Sequence, residues 1–421
     1  MAPTVTTADV VVVGAGPGGS TAAAYLAMSG HDVVLVEKDA FPRDKVCGDG
    51  LTPRVIRELL ELGLDDEANG AVPGWATQQG LRIHGGHTVM ELPWPDLGDW
   101  PGWGGTCTRL VFDETLARLA VKHGAALWEH TSVPDVVWRD ASRQRVAGVK
   151  WRNTDGEEGE VRAPVVIAAD GAGSKVARSI GLTRRQDRPL AVAVRTYYES
   201  SLSTDPWISS YLDLEGGDGE LLPGYGWIFP LDDGTLNVGL GLLSSSPNFR
   251  TVNYRNLMTS WAAGIADRWE TDAVNQRGSI RSGPLPMGFN RTPIHHKGVL
   301  LVGDAGGMVN PFNGEGISYA MEAARLAAEV IDVACARRQT GVLDHYDREL
   351  RRRWGGYYTL GRWFADLMGH PTVMHVCTEY GMPHRWLMEL VFKLMAHLTD
   401  EDPSDVKDVI INAASRLAPA A

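Results

Sequence analysis

Residues 10–38 read VVVVGAGPGGSTAAAYLAMSGHDVVLVEK. Four consecutive valines are a short strand buried on both faces. A glycine-rich turn follows, then an Ala-rich helix ended by Gly30, then a second strand, DVVLVEK. The spacing predicts a strand–turn–helix–strand unit over 9–37. Gly14 allows the tight turn, Gly16 lets the backbone approach a pyrophosphate, and Gly19 lets the helix pack on the strand. Ala15 lies between the first two glycines and Pro17 opens the helix. That helix N-terminus faces the phosphate charge. Glu37 ends the second strand eighteen residues after Gly19, where a carboxylate accepts hydrogen bonds from a ribose. Lys38 follows it and is grouped with the same site.

Similar units recur further along. TRLVFDETLARLAVKHGA (108–125) reads as an amphipathic helix with Leu110, Leu116, Leu119 and Ala120 on one side. VRAPVVIAADGAGSKVARSIG (161–181) reads as strand, glycine turn and short helix. GVLLVGDAGGMVNPFNGEGISYAMEAARLAAEVI (298–331) reads as strand, loop and long helix. Between 189 and 283 the pattern changes to alternating strands, expected to form an antiparallel substrate sheet. Residues 71–105 read as irregular, rich in Pro and Trp, and 343–421 as mostly helical. The expected fold is therefore α/β. A discontinuous Rossmann-type domain (1–70, 106–188 and 284–342) carries an inserted β domain (71–105 and 189–283) and a helical C-terminal region (343–421).

Composition narrows the function. The 421 residues carry a net charge of -12, which excludes broad nucleic-acid binding, since phosphate neutralisation needs clustered Lys and Arg. The four cysteines, Cys47, Cys107, Cys335 and Cys377, form no CxxC pair. No zinc site or disulfide framework is expected, and a reducing cytoplasm fits. The N-terminus lacks the basic region of a secretory signal, and no run is long enough to span a bilayer. Neither HExxH nor a Ser-His-Asp order appears, so hydrolase chemistry has no support.

Two carboxylates stand at strand ends beside glycine turns: Asp170 in AADGAGSKVAR and Asp304 after Gly303. Each suits a polyol hydroxyl, and each suits an Asx turn equally well. DKVCGDGLTP (44–53) holds Cys47 next to Gly48, Asp49 and Gly50. Its thiol reads either as a group beside a cofactor or as a small loop filler.

Together, Gly14/Gly16/Gly19 with Glu37, Asp170-Gly171 and Gly303-Asp304 resemble the FAD fingerprint, DG and GD motifs of the para-hydroxybenzoate-hydroxylase-like flavoproteins. The resemblance implies that FAD is the cofactor, that Asp304 binds its ribityl chain and that Arg109 touches it. PRDKVCGDGLTPR (42–54), YGWIFP (225–230) with NVGLG (237–241), and NPFNGEGISYAME (310–322) resemble the geranylgeranyl reductase family. That family reduces isoprenoid double bonds. The tail 357–400 looks like its actinobacterial menaquinone-reductase branch, which saturates one isoprene unit of the quinone side chain. The resemblance implies catalytic roles for Cys47, Tyr225 and Trp227, and cofactor contacts for the 47–50 loop and for Gly314, Gly316 and Ile317.

Hydride from reduced flavin and a proton from an acid would then saturate an alkene in a dry slot. Cys47, Tyr225 and Tyr211 are the candidate acids, and Trp75, Trp94, Trp100, Trp103, Trp207 and Trp227 the candidate walls. Other prenyl lipids, such as geranylgeranyl diphosphate, are alternative substrates. An aromatic monooxygenase or halogenase and a non-catalytic isoprenoid carrier are alternative functions. With no second dinucleotide unit, electrons are expected from transient NAD(P)H or another carrier. HRWLMELVFKLMAHL (384–398) shows a narrow polar stripe of Glu389, Lys393 and His397. It reads as a buried helix or one docked peripherally on a membrane. Oligomeric state is not legible.

Overall fold

A computed structural model describes residues 4–98, 100–216, 219–400 and 405–421. Its centre is a six-stranded sheet in the order His295–His296, Val299–Leu301, Val165–Ala168, Val10–Val13, Val33–Val36, Ala126–Trp128. All neighbours are parallel except the first pair. The central strands are short unbroken runs of buried aliphatics, as expected where helices cover both faces. The Pro17–Met28 helix packs against Arg109–Lys122 and Ile317–Arg337. Its small side chains let it come close: a methyl on Gly18 would lie 2.7 Å from Val302 Cγ1.

A seven-stranded sheet forms the second layer. Its order is Gln276–Pro286, Leu190–Glu199, Thr235–Leu243, Gly224–Pro230, Trp207–Tyr211, Gly80–Gly85, Thr88–Pro93. It is antiparallel except where Trp207–Tyr211 runs parallel to Gly80–Gly85. The expectation of irregular structure over 71–105 is therefore overturned. That segment holds strands Trp75–Gln78, Gly80–Gly85, Thr88–Pro93 and Gly104–Cys107. Period-2 alternation is weak there because Ile83 and His84, on opposite faces, are both buried, and Pro93 closes an edge strand, where proline is tolerated.

The alternation in LNVGLGLL (236–243) tells the two faces of this sheet apart. Leu236, Val238, Leu240 and Leu242 pack with Met258, Ala262 and Trp269 from helices Tyr254–Gly264 and Ala266–Trp269. Asn237, Gly239 and Gly241 point to the other face, by the period of two, toward the loop that carries Cys47.

In Arg109–Lys122 the buried positions are Arg109, Phe112, Asp113, Leu116, Ala117, Leu119 and Ala120. Leu110 is exposed, a correction to the predicted face: i, i+3, i+4, i+7 counted from Arg109 buries an ion pair among apolar groups.

Helices Asp344–Met368, Pro371–Val376, Arg385–Ala396 and Val406–Leu417 make up the C-terminal region. Met388, Phe392 and Ala396 share an apolar cluster with Ile83 and Leu92 of the seven-stranded sheet and with Trp94 just past its edge strand. The stripe Glu389, Lys393, His397 does not face water as a unit. Lys393 is buried and pairs with Asp408 at 2.6 Å and Asp405 at 3.0 Å. The His397 ring stacks on Tyr357 at 3.7 Å. Trp386 and Leu387 are exposed instead. No described helix is long and apolar enough to cross a membrane.

Candidate active site

Four neighbouring parallel strands end at one edge. From Val299–Leu301, Val165–Ala168, Val10–Val13 and Val33–Val36 emerge Asp304, Asp170, the Gly14–Gly16 turn and Glu37 in spatial order. Ligands of open α/β sheets bind at this carboxyl edge. The glycines divide their work as the spacing predicts. Gly14 has φ +96°, and a methyl on it would sit 2.5 Å from Ala169 O. A methyl on Gly19 would sit 1.8 Å from Gly14 O. On Gly16 it would meet only Arg43 Nη2, at 3.9 Å, so this position opens onto free space.

Glu37 is buried. It accepts from Ala15 N at 2.9 Å and Arg43 Nη2 at 3.2 Å. Lys38 points to solvent and pairs with Asp39, outside this cluster. Asp170 Oδ2 accepts from Lys175 N at 2.7 Å and Val176 N at 3.2 Å, while its buried Oδ1 has no partner among the described residues. Lys45 Nζ donates to Asp304 Oδ2 at 3.1 Å. Gly316 caps the Ile317–Arg337 helix, and a methyl on it would lie 3.6 Å from Asp304 Oδ1. Gly303 and Gly314 take φ of +61° and +78°, in the left-handed region.

The 44–50 loop lies across the polar face of the seven-stranded sheet. Arg195 and Arg281, which face each other on adjacent strands, both pair with Asp44. Phe229 covers two glycines: methyls on Gly48 and Gly50 would lie 2.7 and 3.1 Å from its Cε2. Asp49 is fully buried and accepts from Asn237 Nδ2 at 2.7 Å, Tyr197 Oη at 2.9 Å and Arg109 N at 3.1 Å. Asn237 in turn accepts from Trp227 Nε1 at 2.9 Å. Burial pushes the Asp49 carboxyl up to about 6 even though these donors oppose the shift.

Tyr225, Trp227 and Phe229 alternate along one strand and so share a face. Trp227 lies over Gly239, where a methyl would be 2.3 Å from Cζ2. This is the steric reason for glycine in NVGLG. Tyr225 Oη donates to Asn313 O at 2.5 Å, and its hydroxyl feels both Glu315 and Cys47. Burial pushes the Cys47 thiol up against the pull of Arg109 and Lys45, so it keeps its proton at neutral pH. Arg109 itself forks onto Asp113 at 2.6 Å through both Nε and Nη2. Arg43 ties that carboxylate to Glu37. Tyr211 is elsewhere engaged, accepting from Trp269 Nε1 at 2.7 Å.

The six tryptophans separate. Trp94 and Trp100 belong to the apolar cluster that Phe229 joins. Trp75 and Trp103 pack in the main core, and Trp207 sits against Gly80.

Several residues of this site were not singled out from sequence: Asn237, Tyr197, Arg195, Asp113 and Glu315. The Glu315 carboxylate accepts from Thr52 Oγ1 at 2.6 Å, its buried Oε2 has no partner among the described residues, and burial pushes the carboxyl up. Polar residues at inward-facing strand positions, such as Tyr197 and Asn237, were the available signal.

The residues present fit FAD. Gly16 leaves room at the helix N-terminus for a pyrophosphate, Asp170 Oδ1 is an orphaned buried acceptor, and Asp304 offers a carboxylate beside the cap of a long helix.

The chain matches the FAD binding domain family over residues 7–355. It is 36% identical over 398 residues to the menaquinone reductase of Mycobacterium tuberculosis, covering 94% of this chain and 93% of that one. It is 30% identical over 354 residues to the digeranylgeranylglycerophospholipid reductase of Methanocella arvoryzae, covering 82% and 83%. A geranylgeranyl bacteriochlorophyll reductase-like structure from Thermoplasma acidophilum superposes with TM-score 0.75 at 24% identity, covering 99% and 97%. The flavin-dependent brominase Bmp2 superposes at 0.72 and 21%, covering 98% of each chain. At those identities the structures speak to fold alone. The fold and the carboxyl-edge site define an FAD-dependent oxidoreductase. Within that class, the chain belongs to the family of the menaquinone and geranylgeranyl reductases.

Proposed function

We propose that this protein saturates one isoprene double bond in the side chain of a menaquinone. The observation that carries this reading is the seating of the 44–50 loop. The half-buried Cys47 thiol, whose proton desolvation favours, lies near Arg109 and Tyr225, and its backbone carbonyl accepts from Asn237 beside the aromatic row Tyr225, Trp227 and Phe229. FAD, when bound, supplies the hydride. An isolated alkene has no carbonyl to polarise it, so a placed acid and exclusion of water are what the chain must add. Cys47 is the proposed acid, and Tyr225 and Trp227 wall the slot. Gly14, Ala15, Gly16, Pro17, Gly19, Glu37, the 47–50 loop, Asp170, Gly303, Asp304, Gly314, Gly316 and Ile317 are the proposed cofactor contacts. Arg109 acts through its backbone N–H on Asp49 and through its guanidinium beside Cys47.

The substrate side chain is long and apolar. The cluster of Ile83, Trp94, Met388 and Phe392 adjoins Phe229 and offers it an apolar seam. Trp363, Leu367, Tyr380 and Trp386 of the C-terminal region are more than half exposed. An aromatic-rich surface of this kind suits peripheral attachment to a bilayer. Charge substitutions at Trp363 and Trp386 should release the protein from vesicles in co-sedimentation; full retention rejects the attachment surface. The reaction itself is tested by mixing anaerobically reduced holoenzyme with menaquinone and sequencing the product side chain by tandem mass spectrometry. One saturated isoprene unit is expected, and an unaltered side chain rejects the reading.

A further inference from the structure

A polar cavity of about 380 Å³ lies behind the GD loop, within the ~300–1,000 Å³ of small-molecule sites. Four arginines line it: Arg184, Arg185, Arg188 and Arg250. In a chain of net charge -12 this is a local excess of the opposite sign. Among the described residues only Arg185 of the four has a carboxylate partner, Asp187. Arg362 stands close behind, its charged form disfavoured by burial and then by Arg188 and Arg185.

Among the described residues, three buried polar atoms at this cavity have no hydrogen-bond partner: Arg188 Nε, Ser246 Oγ and Asn290 Oδ1. Ser246 and Asn290 are 5% and 2% exposed. Such groups are costly unless something satisfies them. Their chemistry is mixed. Arginine forks suit phosphate, whereas the Asn290 oxygen is an acceptor and suits a sugar hydroxyl. Phe249 adds an apolar wall. A bare phosphate uses only part of this set; a nucleotide uses all of it. The cavity is also tied to the cofactor edge. Asn290 N donates to Gly307 O, three residues from Asp304, and Arg291 Nη1 donates to Ala305 O.

We propose that this cavity docks the phosphate and ribose of a reduced pyridine nucleotide, which recharges the flavin. The role of donor rests on the reductase reading above. The nucleotide gives up a hydride, two electrons with one proton, and leaves oxidised; the flavin takes that hydride plus one proton from solvent. Among the described residues one strand–turn–helix unit carries the dinucleotide fingerprint, and it is the unit assigned to FAD, so the donor needs another phosphate site.

The test uses full-length FAD-loaded protein. Calorimetry measures binding of 2′,5′-ADP, and anaerobic stopped flow follows bleaching of the flavin by NADPH and NADH. Arg184→Gln/Arg250→Gln alters two exposed side chains, with Arg→Lys at both as the conservative control and flavin content as the check on folding. The double Gln variant should weaken nucleotide binding and slow bleaching about tenfold or more. The Lys variant should recover part of the loss, and prenyl reduction by dithionite-reduced enzyme should be unchanged. Unaltered nucleotide dependence in the Gln variant overturns the proposal, as does a wild-type flavin that neither nucleotide bleaches. A loss confined to binding of phosphatidylglycerol vesicles also overturns it and assigns the arginines to a lipid headgroup. Failure of dithionite-reduced wild type on every prenyl lipid removes the reductase reading, while bleaching still reports on the cavity.

Discussion

Asn237 donates to Asp49 at 2.7 Å across 188 residues of sequence, and this bond pins the Cys47 loop to the substrate sheet. With Tyr197 and the Arg109 N–H it completes a shell of donors around a carboxyl that has no exposure to water. The loop therefore belongs to both layers, and its chemistry depends on their relative position.

That shell has a pH signature. The folded Asp49 carboxyl is raised to about 6 from its ordinary 3.8, so the folded chain holds this proton more tightly than the unfolded chain. Its contribution to stability is present below pH 3.8 and is lost as the pH rises through about 6. Asp49→Asn cannot titrate. Its stability relative to wild type should climb as the pH rises between these values and level off above them. Urea midpoints measured across that range check this, and a flat difference counts against it.

Gly239→Ala puts a methyl 2.3 Å from Trp227 Cζ2 and 2.6 Å from Val194 O. Relief requires Trp227 to move off the sheet. Overpacking of this kind costs about 1–3 kcal/mol. Thermal unfolding should shift down and turnover should fall, while flavin is still retained, because the Gly14–Gly19 turn, Glu37 and Asp304 stand away from the displaced ring and only the Asn237–Asp49 link to the 47–50 loop is disturbed. Wild-type turnover with a displaced Trp227 would remove the tryptophan from the slot.

Cys47→Ala should retain FAD yet lose roughly a hundredfold or more in turnover, the scale of a positioned general acid. The loop is held by Asp44, Asp49 and Phe229 rather than by the thiol, so its seating should survive. Steady-state rates with flavin content measured on the same sample decide it. Full activity in Cys47→Ala assigns the residue to packing.

Asp304→Ala removes the carboxylate at the cap of the Ile317–Arg337 helix. Lys45 is its ion-pair partner among the described residues, so the fold loses little. Flavin retention should weaken by about 1.5–3 kcal/mol, the range for a hydrogen bond to a charged group. Flavin per protein after gel filtration measures this, and unchanged occupancy counts against the assignment.

The parts of the fold legible in sequence are those whose causes are local. VVVVGAGPGG spells out a buried strand, a turn and a helix start within ten residues, and the spacing of Asp170 and Asp304 after similar strands extends the same edge. Alternation in LNVGLGLL separates the two faces of its sheet, and the glycines in it mark where Trp227 lies. What stayed hidden depends on partners far along the chain. Asp49 and Asn237 meet only when the sheets stack. Residues 80–85 hide their alternation because both faces are covered. The stripe of Glu389, Lys393 and His397 reads equally as part of a buried helix or of one docked on a membrane, and the sequence does not show that Asp405, Asp408 and Tyr357 enclose its last two members.

The central claim is transfer of hydride and proton to a side-chain alkene. The direct measurement is one anaerobic turnover of reduced holoenzyme with menaquinone in deuterated buffer. Air then returns the headgroup to the quinone before mass analysis, since a quinol carries the same gain in hydrogens as a saturated isoprene unit. Two deuterons should be retained in a single isoprene unit of the side chain, because both the flavin N5 hydrogen and the Cys47 proton exchange with solvent. A side chain of unaltered mass, with reduction confined to the headgroup, would contradict it.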